Sequence, residues 1–347
     1  MIVSLVGVIS AFCSCTQPPS LSVLCERDAK NNYVLRWEVF PDVDNVPIDI
    51  YASDNDTLFP STPIRTVYSN DYITVISDTL KRMKRGFFKL KIGGELSGVI
   101  SNRFFELDSV QNFRDIGGYY TEDYRQVRWG RVFRSGNFSQ LTDSDRVELL
   151  NLGIKTVLDL RSEGGREKYI NKLGVDNYIR VPIVKNGYSA VTQKIIDGVF
   201  LRGDAVIYNQ DIYKDMVENY TVQYALLFDY LCDEKNYPIA FYCYLGKDQS
   251  GLLSYLLLRA LGVPTDVVEE DYLLSNVGVD RSKIRQGVGL SEPSQEALTL
   301  LTKTDLSFLK YGIACMRNKS GSVDEYMTKE LKLTPEKRKK LKQLLLY

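Results

Sequence analysis

The run FYCYLGKDQSG, Phe241 to Gly251, holds the residues best suited to chemistry in this chain. Cys243 closes an apolar stretch, YPIAFYC, and Ser250-Gly251 opens another, SGLLSYLLLRALGVP. The first reads as a buried strand and the second as a buried helix stopped by Gly262 and Pro264. A strand–loop–helix turn aims backbone N–H groups and the positive helix end at one point, which makes an anion site. A thiol there is biased toward its thiolate. A thiolate can attack phosphorus to give a cysteinyl phosphate that water later hydrolyses. Cys243 is therefore the candidate nucleophile. Asp248 is a candidate general acid or an anchor for its neighbours, and Lys247 adds charge for a bound dianion. Gly246 lets the backbone approach the phosphate oxygens. Ser250 is placed to hydrogen-bond the thiolate. Tyr244, Leu245, Gln249 and Gly251 complete the phosphate-binding cradle.

The elements that must position this loop follow a change in character near Asp108. Downstream, strands and helices alternate: LTDSDRVELLNLGI reads as a helix capped by Thr142 and stopped at Gly153, and TVLDLRS as a short apolar strand. DIYKDMVENYTVQYALLFDYLCDE carries apolar residues at helical spacing, and the last 37 residues read as two or three amphipathic helices. The expected fold is α/β, a central, mostly parallel sheet flanked by helices, over residues 108–347. Residues 16–107 instead show short β-rich runs punctuated by Pro, Asp-Asn and Gly-Gly. In YVLRWEVF, Tyr33, Leu35, Trp37 and Val39 alternate with Val34, Arg36, Glu38 and Phe40. A small all-β sandwich is expected there.

Composition narrows the function. The chain has 347 residues, 44% of them hydrophobic, which suits two globular domains. Lys plus Arg (44) equals Asp plus Glu (44), so gross charge predicts no nucleic-acid partner. Histidine is absent, which removes histidine bases, histidine metal ligands and Ser-His-Asp triads. No cysteine spacing suggests a metal site, and no cofactor is expected. Single buried thiols are the simpler reading of Cys25, Cys232 and Cys315, with a bridge among them as the alternative. Residues 1–15 end in AFCSC after twelve apolar or small residues, too few to span a bilayer. They read as an export signal of the lipoprotein type, lipidated at Cys15 (Cys13 second). The expectation is an exported protein, lipid-anchored at the bacterial cell envelope; a buried N-terminal strand or helix is the other reading.

The loop resembles the His-Cys-(five residues)-Arg signature of protein tyrosine phosphatases, in the bacterial, dual-specificity-type branch that carries Gly-Lys-Asp-Arg-Thr/Ser-Gly. NFRDIGGY (Asn112–Tyr119) resembles that branch's opening motif, and RVFRSGNFSQLT and GIKTVLDLRSEGGRE its next two. GSVDEYMTKELKLT resembles its C-terminal helices. The resemblance implies Cys243 as nucleophile, Asp248 as acid or base, and Lys247 as a phosphate or headgroup contact. It implies that Asp159 and Arg161 border the same cleft and that Arg114 and Asp115 brace the loop, with ordinary ion pairing beneath the sheet as the alternative for these four. The partners implied are a phosphorylated protein, a phosphoinositide or a small phosphate ester. The N-terminal segment resembles an immunoglobulin or fibronectin type III module, with spacing or docking as its expected role.

Two departures matter. Gln249 stands where the family has arginine, and Tyr242 where it has histidine. The arginine would grip two phosphate oxygens in a bidentate fork, which an uncharged amide cannot replace. Losing Tyr242's histidine counterpart should raise the cysteine pKa. Arg161, Arg166 and Arg202 are the candidate replacement cations. The chain is thus expected to be either a phosphatase of reduced activity or a pseudophosphatase that binds phosphorylated ligands.

Overall fold

The computed structural model describes residues 19–77, 85–162, 174–184, 189–285 and 289–347. The expected signal segment and Cys15 lie outside them, as does the whole EGGRE stretch with Arg166.

The N-terminal strands are β1 (Ser20–Arg27), β2 (Tyr33–Phe40), β3 (Pro47–Ser53), β4 (Arg65–Tyr68), β5 (Ile73–Ile76), β6 (Phe87–Ile92) and β7 (Glu95–Leu96). They form two antiparallel sheets, β1-β2-β5 and β4-β3-β6-β7. The alternation in β2 is realised: Tyr33, Leu35 and Trp37 are buried, whereas Arg36 and Glu38 are exposed. Those side chains meet Ile48 and Ile50 of β3 and Phe88 and Leu90 of β6 in a core of their own. Among the described residues Cys25, Cys232, Cys243 and Cys315 are free thiols.

The second unit has strands β8 (Arg114–Asp115), β9 (Val132–Ser135), β10 (Thr156–Asp159), β11 (Asn177–Arg180) and β12 (Ile239–Tyr242), in the order β11-β10-β12-β9-β8. All neighbours are parallel except β8–β9. Helix α1 (Asp143–Asn151) follows β9 and is capped by Thr142, as its sequence predicts. Helices α2 (Ser189–Ile196), α3 (Arg202–Asn219) and α4 (Thr221–Leu231) separate β11 from β12. The periodic stretch 211–234 is therefore not one helix; it breaks at Tyr220, whose backbone leaves the helical region (φ −116°, ψ 23°). Then come α5 (Gln249–Leu261), α6 (Thr265–Leu273), α7 (Ser275–Gly278), α8 (Arg281–Arg285), α9 (Glu292–Thr302), α10 (Leu306–Ser320), α11 (Val323–Lys329) and α12 (Pro335–Leu345). Helix α5 is buried along almost its whole length, which explains why its sequence is apolar nearly all round.

Side chains of β12 alternate between two cores. Ile239, Phe241 and Cys243 face the larger one, shared with α3, α4 and α5; Ala240 and Tyr242 face a smaller one behind the sheet, shared with α1. The two units are clamped together. The Arg85 guanidinium donates to Asp115, to Ser101 Oγ (2.9 Å) and to Asn102 O (3.0 Å), and lies over Trp129, Phe105 and Phe133. Gln126 exchanges two hydrogen bonds with the Val99 backbone, at 2.8 and 2.9 Å.

Candidate active site

Three successive carbonyls of the loop are held from outside. Asn137 N donates to Tyr244 O (3.1 Å), Asn112 Nδ2 to Leu245 O (2.9 Å) and Arg134 Nη2 to Gly246 O (2.8 Å). In a trans peptide the N–H points opposite to the C=O. Anchoring those carbonyls outward therefore turns the N–H groups of Leu245, Gly246 and Lys247 toward the inside of the loop. Helix α5 adds more donors. Its first helical bond runs from Leu252 N to Asp248 O (2.8 Å), so the N–H groups of Gln249, Ser250 and Gly251 have no helical acceptor. Together they form a nest of donors at the positive end of a 13-residue helix. The hydroxyls of Ser135 and Ser250 are buried with no hydrogen-bond partner among the described residues, as suits groups that wait for an anion. The expected bond from Ser250 to the Cys243 thiol is accordingly not made.

Gly246 is what lets the loop close. Its φ is +68°, and a Cβ there would lie 2.5 Å from the Ser135 carbonyl carbon and oxygen. Backbone on β9, paired on both sides within the sheet, cannot shift to make room. We expect Gly246→Ala to weaken inorganic phosphate binding at least tenfold while leaving the fold intact, measured by competition against alkylation of Cys243. Unchanged binding would show that the turn tolerates another path.

Lys247 and Asp248 are both buried, and Lys247 Nζ lies 2.8 Å from Asp248 Oδ1. Asp248 also accepts from Tyr213 Oη (3.3 Å), which pairs with Tyr272 Oη (2.7 Å). Lys247, expected as a direct phosphate contact, is thus drawn onto its neighbour, and its charge reaches the nest as part of a pair. Asp248 makes no side-chain cap on α5. Tyr213 and Tyr272 belong to this site although the sequence did not single them out. Tyr224 of α4 donates to Gln249 O (3.4 Å), while Tyr220 packs in the main core.

The bracing differs from expectation. Arg114 does not touch the loop. It donates to Asn112 Oδ1, to Asp271 O (2.9 Å) and to Ser275 Oγ (3.2 Å), so it acts through Asn112. Asp115, next along β8, points the other way, as strand alternation requires. It accepts from Arg85, Gly117 N (2.7 Å) and Gly130 N (2.6 Å) and braces the junction with the N-terminal unit. The direct brace is Arg134, which pairs with Asp271 (2.8 Å) while holding Gly246 O. Two buried guanidiniums thus share one buried carboxylate. Burial alone would raise the pKa of Asp271, but Arg114 and Arg134 outweigh it and hold it at about 2. Burial, aided by Arg134 alongside, pushes Arg114 down to about 9. Two guanidiniums on one carboxylate leave the cluster under the loop with an excess of positive charge.

Asp159, Arg161, Tyr178 and Tyr242 form a second network, on the face of the sheet away from the thiol. Arg161 grips Asp159 at 2.9 and 3.0 Å and donates to Tyr242 Oη (3.1 Å); Tyr178 Oη donates to Asp159. Burial pushes the Tyr242 phenol far up, so it stays protonated. Tyr242 therefore ties β12 to β10 and β11 and does not approach the thiol. Asp159 does not border the cleft, because its carboxylate is spent behind the sheet. Arg161 reaches the loop in two ways, lying over the Tyr244 ring (6.0 Å) and donating to Asn137 Oδ1 (2.7 Å), whose own N–H holds Tyr244 O. Of the other proposed replacement cations, Arg202 begins α3 on the exposed surface. Gln249 is buried at the start of α5. Among the described residues no cluster of acidic and cysteine side chains could hold a metal ion.

Comparison with known proteins adds an independent observation. A putative tyrosine-protein phosphatase of Cupriavidus necator is 27% identical over 232 residues, which cover 65% of this chain and 83% of that protein. The triple specificity protein phosphatase PtpB of Mycobacterium tuberculosis is 30% identical over 209 residues, covering 52% of this chain and 72% of PtpB. Among solved structures, the catalytic core of Siw14 aligns with 63% of this chain and 96% of its own, at 12% identity and a TM-score of 0.31. A superposition that weak adds nothing to the argument. The sequence pattern of the tyrosine phosphatase family, in contrast, matches residues 105–347, from the opening motif through the last helix. This chain belongs to the tyrosine phosphatase family.

Proposed function

We propose that the chain is a phosphomonoester hydrolase that works through a cysteinyl phosphate on Cys243, at a rate reduced by Gln249. The observation that carries this reading is the outward anchoring of Tyr244, Leu245 and Gly246 by Asn137, Asn112 and Arg134, which leaves a nest of N–H donors around the cysteine. The Cys243 thiolate attacks phosphorus, and the bond from phosphorus to the ester oxygen breaks. The leaving oxygen takes a proton supplied from the Lys247–Asp248 pair. Water then displaces the sulfur, giving a proton back to the pair, which releases inorganic phosphate and restores the thiolate. Lys247 and α5 stabilise the charge that a loop arginine would otherwise share.

A second reading, phosphate binding without turnover, has a specific observation in its favour. The guanidiniums closest to the loop are committed, Arg134 to Asp271 and Arg161 to Asp159, so neither is poised to take the place of the missing fork. Phosphorylated proteins or small phosphate esters are the ligands in either case. Export and lipid anchoring through Cys15, with the N-terminal β-unit as an immunoglobulin-like or fibronectin-like spacer, complete the proposed placement at a cell envelope.

The test is hydrolysis of an aryl phosphate together with acid-quench trapping of phosphate on the peptide that contains Cys243. We expect a stoichiometric adduct in the wild type, and loss of both adduct and turnover in Cys243→Ser. Turnover that survives Cys243→Ser would reject the mechanism. Phosphate protection of Cys243 without any turnover would select the binding reading.

A further inference from the structure

A cavity of about 260 Å³ opens beside the loop, and the loop itself forms part of its wall: Tyr244 and Leu245, the two residues after Cys243, line it together with Ile195 of α2, Leu290, and Leu298 and Leu301 of α9. It is open to solvent past Ile196, which is 48% exposed. We propose that this cavity receives the hydrocarbon part of the substrate, so that the preferred substrate is the phosphate monoester of an aliphatic alcohol. The proposal rests on the phosphate-binding reading of the loop and specifies what the phosphate is attached to.

The lining favours a hydrocarbon over a peptide. Among the described residues the only polar side chains on it besides Tyr244 are Thr192 and Thr302, and Thr302 Oγ1 already donates to Leu298 O (2.8 Å) within its own helix. A peptide segment in this space would bury N–H and C=O groups with few partners, and each unmet group is costly to take out of water. An alkyl chain has no such groups. Capacity sets its length. A water's share of liquid volume is about 30 Å³, so the cavity takes roughly eight methylene-sized groups. The shared wall then links the two sites: Tyr244 and Leu245 belong both to the loop that forms the nest and to the lining of the apolar space.

The experiment uses the whole protein and needs no turnover. Methyl-, butyl-, octyl- and dodecylphosphonate are titrated as protectants of Cys243 against iodoacetamide, read by mass spectrometry on the peptide that contains it. Protection should tighten roughly three- to fourfold per methylene and level off near eight carbons. Leu298→Lys, at a half-buried wall position, should flatten that slope and leave methylphosphonate protection unchanged; Leu290→Asn serves as a second variant should the first fold poorly. Equal protection by all four phosphonates in the wild type would overturn the proposal while leaving the phosphate-binding reading standing. Failure of both inorganic phosphate and methylphosphonate to protect would reject that reading and the proposal with it. A phosphotyrosyl peptide that protects better than octylphosphonate, and loses that advantage in Leu298→Lys, would assign the cavity to a peptide side chain and also overturn the proposal.

Discussion

Gln249→Arg should raise kcat/KM for a small aryl phosphate by roughly 10²–10³-fold, the usual effect of one preorganised charge-stabilising group. Position 249 is the first residue of α5 and part of the nest, and its side chain is buried with the loop. A guanidinium placed there brings two parallel N–H donors to the equatorial oxygens, where glutamine offers one neutral amide. The gain should appear mainly in kcat, because the nest already supplies ground-state binding. Gln249→Lys should recover much less, since an ammonium adds charge without the fork. If the wild type turns over slowly and the arginine variant speeds it, the protein is a weakened phosphatase. If the wild type is silent and the variant wakes, the frame is sound and the natural chain has given up turnover for binding. No gain from arginine, with Cys243→Ser inactive beside it, would mean that Gln249 is not what limits the rate.

Much of this site could be read along the chain because its chemistry is contiguous. Cys243, Gly246, Lys247, Asp248 and the start of α5 fall within nine residues, and the flanking apolar runs announce a strand and a helix. The β/α alternation after Asp108 and the in–out alternation of YVLRWEVF were legible for the same reason, since each is a local period. What escaped is long-range. Asn112, Arg134, Asn137 and Asp271 meet around the loop from three separate segments, none of them beside it in the chain. A signal existed for Arg134. An arginine inside the short apolar strand VFRS must be buried and paired, and the pairing of β9 with β12 sets Arg134 opposite Phe241, two residues from the thiol. Strand alternation also forbids Arg114 and Asp115 from bracing the same loop, which the motif alone conceals. Asp115 could not be placed at all without Arg85, which belongs to the other unit. The break between α3 and α4 at Tyr220 had no glycine or proline to mark it.

The arginine-rich cluster makes the sharpest stability prediction. Asp271→Asn should destabilise the protein by about 3–5 kcal/mol, because removing one partner of a buried pair leaves uncompensated charge behind. Here it leaves two guanidiniums, Arg114 and Arg134, facing each other with a single amide oxygen between them. Arg114→Met should cost less, since Asp271 and Arg134 would remain as a one-to-one pair. A purely steric role for the cluster predicts the reverse order, because methionine leaves a larger change of shape than asparagine does. Denaturant midpoints for the two variants decide between these. The pH dependence gives a second handle. Asp271 is held at about 2 in the folded chain, below the ordinary value near 4 in the unfolded one. A depressed carboxylate stabilises fully above the unfolded value and loses that contribution as pH falls through the folded one. Wild type and Asp271→Asn should therefore differ most at neutral pH and converge between about pH 4 and pH 2. Because Arg134 is also the donor that holds Gly246 O, the same substitution should weaken phosphate protection of Cys243 at neutral pH, even where the protein remains folded. Stability loss with undiminished protection would separate the cluster from the loop and leave Asn112 and Asn137 as its sole anchors.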